Sequence, residues 1–248
     1  MRKTLSLMLL AITLIVASCK KSTSDNEEQT PSTCQLSQST YSAGGDFGKI
    51  LYTYNSDGKV SKVVYNGEDY QESYTYTSTQ ITKIVKEGNS SKTFTYTLNV
   101  QGRITNETQT AGDYKIDHTY NTDGYLTESI RTNLLNNSTA STKYTFTDGD
   151  LTKIVSPTLT LNIVYGGSEA KGNYFNGLDT DLPPFYSGVL KSYYGKVSKY
   201  IPAIVSYGNS TYTEVYSYQK DSNNNITRVI VKTSDNKEYT LSNTFTCK

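Results

Sequence analysis

The chain has no tryptophan, a single histidine and only three cysteines among 248 residues. One histidine with no spare cysteine pair argues against a zinc site, which needs three or four such ligands converging. Lysine and arginine number 24 against 23 aspartates and glutamates, with no basic stripe, so the electrostatic footprint that nucleic acid requires is missing. Long apolar runs are missing too. The longest, Leu5 to Val16, is interrupted by Ser6 and Thr13 and falls short of the ~20 residues that a spanning helix needs. No phosphate-binding glycine loop or nucleophile elbow occurs, and no metal, cofactor or catalytic residue is expected.

That short apolar run has a different use. Arg2 and Lys3 precede it, and Val16-Ala17-Ser18-Cys19 follows, small residues just before a cysteine. The pattern predicts a bacterial lipoprotein signal over 1–18, cleaved before Cys19, which becomes the lipidation site. Residues 19–33 carry almost no apolar side chain and read as a flexible, lipid-anchored tether, about 20 Å end to end. The expected location is the outer membrane, on the cell surface or the periplasmic face. The membrane is one expected partner, through the N-terminal lipid. Removing Arg2 and Lys3 with the signal leaves 22 basic against 23 acidic residues, a net charge of −1.

Residues 34–248 are dominated by one repeated phrase: aromatic-x-aromatic, a polar turn, then a branched aliphatic and a short apolar run. It appears around Tyr54, Tyr76, Tyr96, Tyr120, Phe146 and Tyr218. Tyr52 and Tyr54 share a face with Thr53 opposite, and the same alternation recurs at Tyr74/Tyr76, Phe94/Tyr96, Tyr144/Phe146 and Tyr216/Tyr218. Asn55-Ser-Asp-Gly58 and Asn121-Thr-Asp-Gly124 supply turn residues with glycine where a positive φ is expected. None of the five prolines falls within a repeat strand. Each unit is therefore a β-hairpin, and the key aromatics from Tyr54 to Phe146 stand 20 to 26 residues apart, room for two strands and two turns. In the second strands Val60/Val63, Ile81/Ile84, Leu151/Ile154 and Ile226/Val229 lie three apart. Either a bulge resets the parity or both faces are partly buried.

Chained hairpins predict an all-β, antiparallel up-and-down meander of about twelve strands as a single domain. With Cys19 taken by lipid, Cys34 and Cys247 remain at the two ends of that domain, and an exported protein permits their disulfide, two free thiols being the alternative. The edges of an open twelve-strand sheet would stand ~50 Å apart, whereas a disulfide needs Cα atoms within ~7 Å. Pairing therefore implies closure into a barrel. Threonines opposite the aromatics leave no lipid-facing band, so a soluble barrel is expected rather than a membrane porin.

An insertion at about 166–207 breaks the repetition. Phe185, Val189, Tyr193 and Val197 recur at four-residue spacing, with Leu190 and Tyr194 beside them, predicting an amphipathic helix of two to three turns. It would plug an opening or cover core. Asp179, Asp181, Tyr186, Tyr193 and Tyr194 are the candidate ligand or cation contacts there. His118 occupies a repeat aromatic's slot and reads as a variant of it, while Asp221-Ser-Asn-Asn-Asn225 reads as a turn rather than a calcium loop.

Tyr54-Asn-Ser-Asp-Gly58-Lys-Val60 and Tyr120-Asn-Thr-Asp-Gly124-Tyr-Leu126 resemble tyrosine-aspartate (YD) or Rhs-type repeats. Together with the cysteine-ending signal, the hairpins and Ile201-Pro202 after the insertion, the chain resembles a Bacteroidetes lipoprotein family, a domain of unknown function (DUF) described as having a porin-like fold. That resemblance implies a barrel and carries no activity. The expected function is a noncatalytic binding or interaction module for a protein or glycan partner. The alternatives are a hydrolase-type enzyme near the insertion, using Asp179 and Asp181, or a structural envelope protein. The lack of tryptophan, a frequent sugar-stacking residue, weakens the glycan version.

Overall fold

A computed structural model describes residues 34–43, 46–66, 69–110, 112–169, 188–208 and 210–247. The strands are β1 (Cys34–Ala43), β2 (Asp46–Tyr54), β3 (Val60–Asn66), β4 (Tyr70–Tyr76), β5 (Gln80–Glu87), β6 (Ser90–Leu98), β7 (Ile104–Gln109) and β8 (Tyr114–Tyr120). They continue as β9 (Leu126–Asn133), β10 (Thr139–Thr147), β11 (Asp150–Val155), β12 (Thr160–Glu169), β13 (Tyr200–Tyr207), β14 (Thr213–Lys220), β15 (Ile226–Thr233) and β16 (Glu238–Cys247). Every strand pairs antiparallel with its neighbours in sequence, and β1 pairs with β16, so sixteen strands form a closed barrel rather than the twelve expected. Cys34 faces Cys247 in that closing ladder, Cα atoms 3.9 Å apart, and the two form a disulfide.

The aromatic face is the inner one. Tyr52, Tyr74, Tyr144 and Tyr216 are buried, and Thr53, Thr75, Thr119, Thr145 and Ser217 on the opposite face are exposed. Inner aliphatics Ile81, Ile104, Leu126, Leu151, Ile154, Leu161 and Val205 have no exposed surface. Sixteen strands about 4.8 Å apart would, as a circle, leave a channel that side chains cannot fill. Inner side chains from around the barrel instead form one buried cluster with Leu190 and Tyr194.

Parity is settled by bulges in three of the four uncertain pairs. Register shifts at Thr53/Tyr54, Thr145/Phe146 and Gln219/Lys220 place Val60 with Val63, Leu151 with Ile154 and Ile226 with Val229, all inward and buried. β4 and β5 pair without a shift, so Ile81 is buried while Ile84 points out and is 41% exposed. Turn chemistry separates the first and last of these shifts from β4–β5, while β10–β11 is bulged beside a two-residue Asp148-Gly149 turn. Asn55, Asn99, Asn121 and Asp221 each accept, at 2.9 Å on Oδ1, the main-chain N–H four residues on. The left-handed position in these five-residue turns falls on Gly58, Gly102, Gly124 and Asn224. Each such turn is followed by a bulge, whereas Thr77-Ser-Thr79 closes the β4–β5 hairpin without one.

A third device locks the bulges. Tyr54, Tyr76, Tyr120, Tyr165 and Tyr218 donate their hydroxyls to the carbonyls of Leu36, Val60, Ile104, Leu151 and Pro202 at 2.5–2.8 Å. All five acceptors sit at register shifts, where an extra residue leaves main-chain groups without ladder partners. Pro202 fits β13 for the same reason, lying at a shift where no ladder N–H is needed.

The insertion differs from its expected form. Only one 3-10 turn, Lys191–Tyr193, occurs among its described residues, in place of an amphipathic helix of two to three turns. Gly195, φ +86°, ends it by bridging to Tyr125, and Leu190 and Tyr194 are pulled inward singly rather than as a helical stripe. Among the described residues no helix is long and apolar enough to cross a membrane.

Candidate functional site

The up-and-down order gives the barrel two unlike ends. Turns after the even-numbered strands, the disulfide and the insertion lie at one end; turns after the odd-numbered strands lie at the other.

Residues 188–200 seal the first end. Leu190 and Tyr194 belong to the buried core, and the Tyr193 ring stacks on Tyr76 with centroids 6.0 Å apart. Lys196 N–H donates to the Gly124 carbonyl at 2.9 Å. A Cβ on Gly195 would stand 2.4 Å from that same carbonyl oxygen, so this approach admits only glycine. Leu151 N–H donates to Ser198 Oγ, and Tyr200 N–H donates to Asp150 Oδ1. Burial of the Lys191 ammonium lowers its pKa to about 8.

Beneath the seal runs a buried polar chain. Tyr144 donates to Ser129 Oγ at 3.1 Å, Ser129 Oγ lies 2.8 Å from His118 Nδ1, and His118 Nε2 lies 2.8 Å from Glu107 Oε1. The same Glu107 oxygen accepts the Tyr194 hydroxyl at 2.6 Å, and the Tyr194 ring meets His118 edge-on. With Nε2 donating to Glu107 and Nδ1 accepting from Ser129, every bond runs toward Glu107. Burial, reinforced by the Glu107 charge, holds the Tyr194 hydroxyl far above its usual pKa, so it remains a donor.

Serine, histidine and glutamate in contact have the composition of a catalytic triad, but not its chemistry. Ser129 is 6% exposed and its Oγ is already engaged by Tyr144. Its main chain is paired on both sides, to His118 and Thr142, so its own amide lies within the sheet ladder and is not turned toward an oxyanion at Oγ. The chain instead ties the insertion to the wall. Asp117, next to His118, points outward to Asn106 and Lys115, as alternation requires. Two other inner carboxylates are held by tyrosines: Glu72 by Tyr70 and Tyr74, and Glu214 by Tyr207 and Tyr216. Burial raises the Glu214 pKa.

The second end is open over β6–β9. Gln109, Gly112, Asp113, Tyr114, Arg131 and Asn133 line a recess of about 330 Å³ there. Gln109 faces Phe94, Tyr114 faces Asn133 and Arg131 faces Ile116, in register with the inner positions Glu107, His118 and Ser129, so the recess is the mouth of the barrel interior. The Arg131 guanidinium lies over the Tyr114 ring, 4.0 Å from its centroid.

Of the residues singled out in the sequence, Cys34 and Cys247 are joined, and Tyr193 and Tyr194 meet as part of the seal rather than on an open surface. Cys19, Asp179, Asp181 and Tyr186 lie outside the described residues. Asp221 holds a turn, accepting N–H bonds from Asn223 and Asn225. Among the described residues no three His, Cys, Asp or Glu side chains cluster as a metal site. Tyr114 and Arg131 escaped the sequence reading because polar residues lining a wet mouth look like any solvent-facing strand residues; counting alternate positions on from Ser129 would have placed Arg131 inside.

Solved structures share this architecture. A porin-like protein from Bacteroides uniformis ATCC 8492 superposes with a TM-score of 0.64 at 17% identity, covering 86% of this chain and 96% of its own. A porin-like protein from Bacteroides vulgatus ATCC 8482 gives 0.62 at 17% identity, covering 85% and 98%. At that identity the likeness is one of fold. No protein-family model matches the chain, and no curated protein does.

Proposed function

We propose that this protein is a lipid-anchored envelope module of the outer membrane that binds a protein or glycan partner and performs no catalysis. The observation that supports this reading is the unlike pair of ends: a filled barrel sealed on one side, with a polar recess on the other. The first described residue, Cys34, lies at the sealed end. Cleavage of 1–18, lipidation of Cys19 and a tether over 19–33 complete the design, on the cell surface or the periplasmic face.

The outer wall supports suspension from the membrane over insertion in it. Rows of directly paired outward residues are polar, as in Thr53–Lys62–Ser73 and Lys153–Asn162–Ser206–Thr213. Outward apolar side chains are scattered: a short row, Val164–Ile204–Val215, on three strands, the pair Leu51–Val64, and Ile84 and Val155 singly. A lipid-facing girdle needs apolar residues on every strand. Porin-like describes the architecture here, and the filled interior speaks against conduction.

Photoreactive amino acids placed in intact cells test the reading. Substitution at Gln109 and Tyr114, at the mouth, is expected to give covalent adducts that Thr145, on the outer wall, does not. Adducts from Thr145 alone would contradict it.

A further inference from the structure

The geometry points to the recess at the open end as a carboxylate-binding site, with Arg131 as its anion clamp. This deepens the binding-module reading and rests on it. Arg131 is exposed into the recess, and its guanidinium face is fixed against the Tyr114 ring. Stacking restrains the plane while leaving the N–H edge available, the geometry that meets a carboxylate through two parallel bonds. Among the described residues no carboxylate lies within ion-pair distance of Arg131, although Lys115, Lys83 and Lys232 each have one.

The neighbours supply donors. Asn133 Oδ1 is occupied, accepting the N–H groups of Leu135 and Asn136, which leaves Nδ2 as what this residue can offer a ligand. Gln109 adds a second side-chain amide at the same recess. At about 330 Å³ the space suits one sugar ring or a dipeptide rather than a bare ion. Asp113 is the one acid in the lining, exposed on the rim. It would meet an ammonium group on the ligand favourably. A carboxylate from an acidic sugar and one from an amino acid or peptide end share the chemistry that Arg131 reads, and Asp113 is where they would differ.

Calorimetric titration of the full chain in detergent tests the site with three probes: glucuronate, glutamate and glucose. Saturable binding of glucuronate or glutamate is expected, with glucose at least tenfold weaker, because the uncharged analogue leaves the guanidinium edge unpaired. Arg131→Gln is expected to weaken the carboxylate probe by 10- to 100-fold, the range for one charge-assisted bidentate contact. Lys143→Gln, an exposed cation on the outer wall, should leave it unchanged. A preference for glutamate that Asp113→Asn removes assigns an amino-acid or peptide ligand; a preference for glucuronate indifferent to Asp113→Asn assigns an acidic sugar. Equal binding of glucose, an unaltered affinity in Arg131→Gln with native circular dichroism, or no saturable carboxylate binding at 10 mM (roughly the weakest affinity of interest) would overturn the site. Mouth-specific crosslinks in cells would then still stand, separating failure of this site from failure of the binding-module reading.

Discussion

Tyrosine does most of the specifying work at the residue scale. Its ring fills the interior, and its hydroxyl reaches the main-chain carbonyl that a bulge leaves out of the ladder. Phenylalanine would keep the first contribution and lose the second. Tyr120→Phe, which strips the donor from the Ile104 carbonyl, is expected to destabilise by about 1–2 kcal/mol in urea unfolding, and Tyr76→Phe by a similar amount at Val60. The same burial makes the fold sensitive to alkali. Tyr54 is pushed up to about 12, and Tyr76, Tyr120, Tyr144 and Tyr165 are raised further by loss of solvent. An unfolded phenol titrates near ~10. The folded state thus holds these protons more tightly, so stability is fully present below pH ~10 and is lost as pH rises through about 12. Urea midpoints measured from pH 7 to 12 should stay level and then fall, with tyrosinate absorbance appearing together with unfolding.

Turns and the sealing segment set register and closure at the scale of the element. Four five-residue turns with one bonding pattern impose four bulges, and those bulges decide which aliphatics face inward. Gly195 has the same importance for the seal. Gly195→Ala would force a methyl group against the Gly124 carbonyl and hold a non-glycine residue at φ +86°. A loss of roughly 2–3 kcal/mol is expected, with hydrogen exchange accelerated across 190–196. Gly88→Ala, at φ +56° with nothing within 4 Å, should cost only the ~1 kcal/mol of the dihedral. If both variants behave alike, the seal is not held at Gly195.

Much of this level was legible in the sequence. The aromatic alternation named the inner face because a strand's period is two, and Asn-x-x-Gly named the turns. The parity of the second strands was not legible, because a bulge is a property of the pair and shows only when both strands are aligned. The helix expected from Phe185, Val189, Tyr193 and Val197 failed for a related reason. Spacing of four satisfies a helix in isolation, yet Tyr193 and Tyr194 find separate partners on the barrel wall, Tyr76 and Glu107. His118 was rightly read as an aromatic variant, but its link to Glu107 and Ser129 needed three strands in register.

Closure governs the whole molecule. Cys34 and Cys247 lie 213 residues apart in sequence and are direct partners in the β1–β16 ladder, so the bond joins strands that hydrogen bonds already hold. Its effect falls chiefly on the unfolded chain. A loop of that length would contribute about 5 kcal/mol on a chain-entropy account, with measured values often lower. Replacing both cysteines with serine should lower the urea midpoint while leaving the β-sheet circular dichroism of the native state intact. Loss of native structure without denaturant would show instead that the ladder cannot close the ring by itself.

The central proposal is a filled, polar-walled barrel that hangs from lipid by its N-terminus instead of spanning the bilayer. A site-specific protease sequence placed within residues 20–33 tests it most directly, by cutting intact membranes and asking where the barrel goes. The account predicts that residues 34–248 leave the membrane as a soluble, disulfide-closed fragment; a fragment that stays with the lipid after complete cleavage would contradict it.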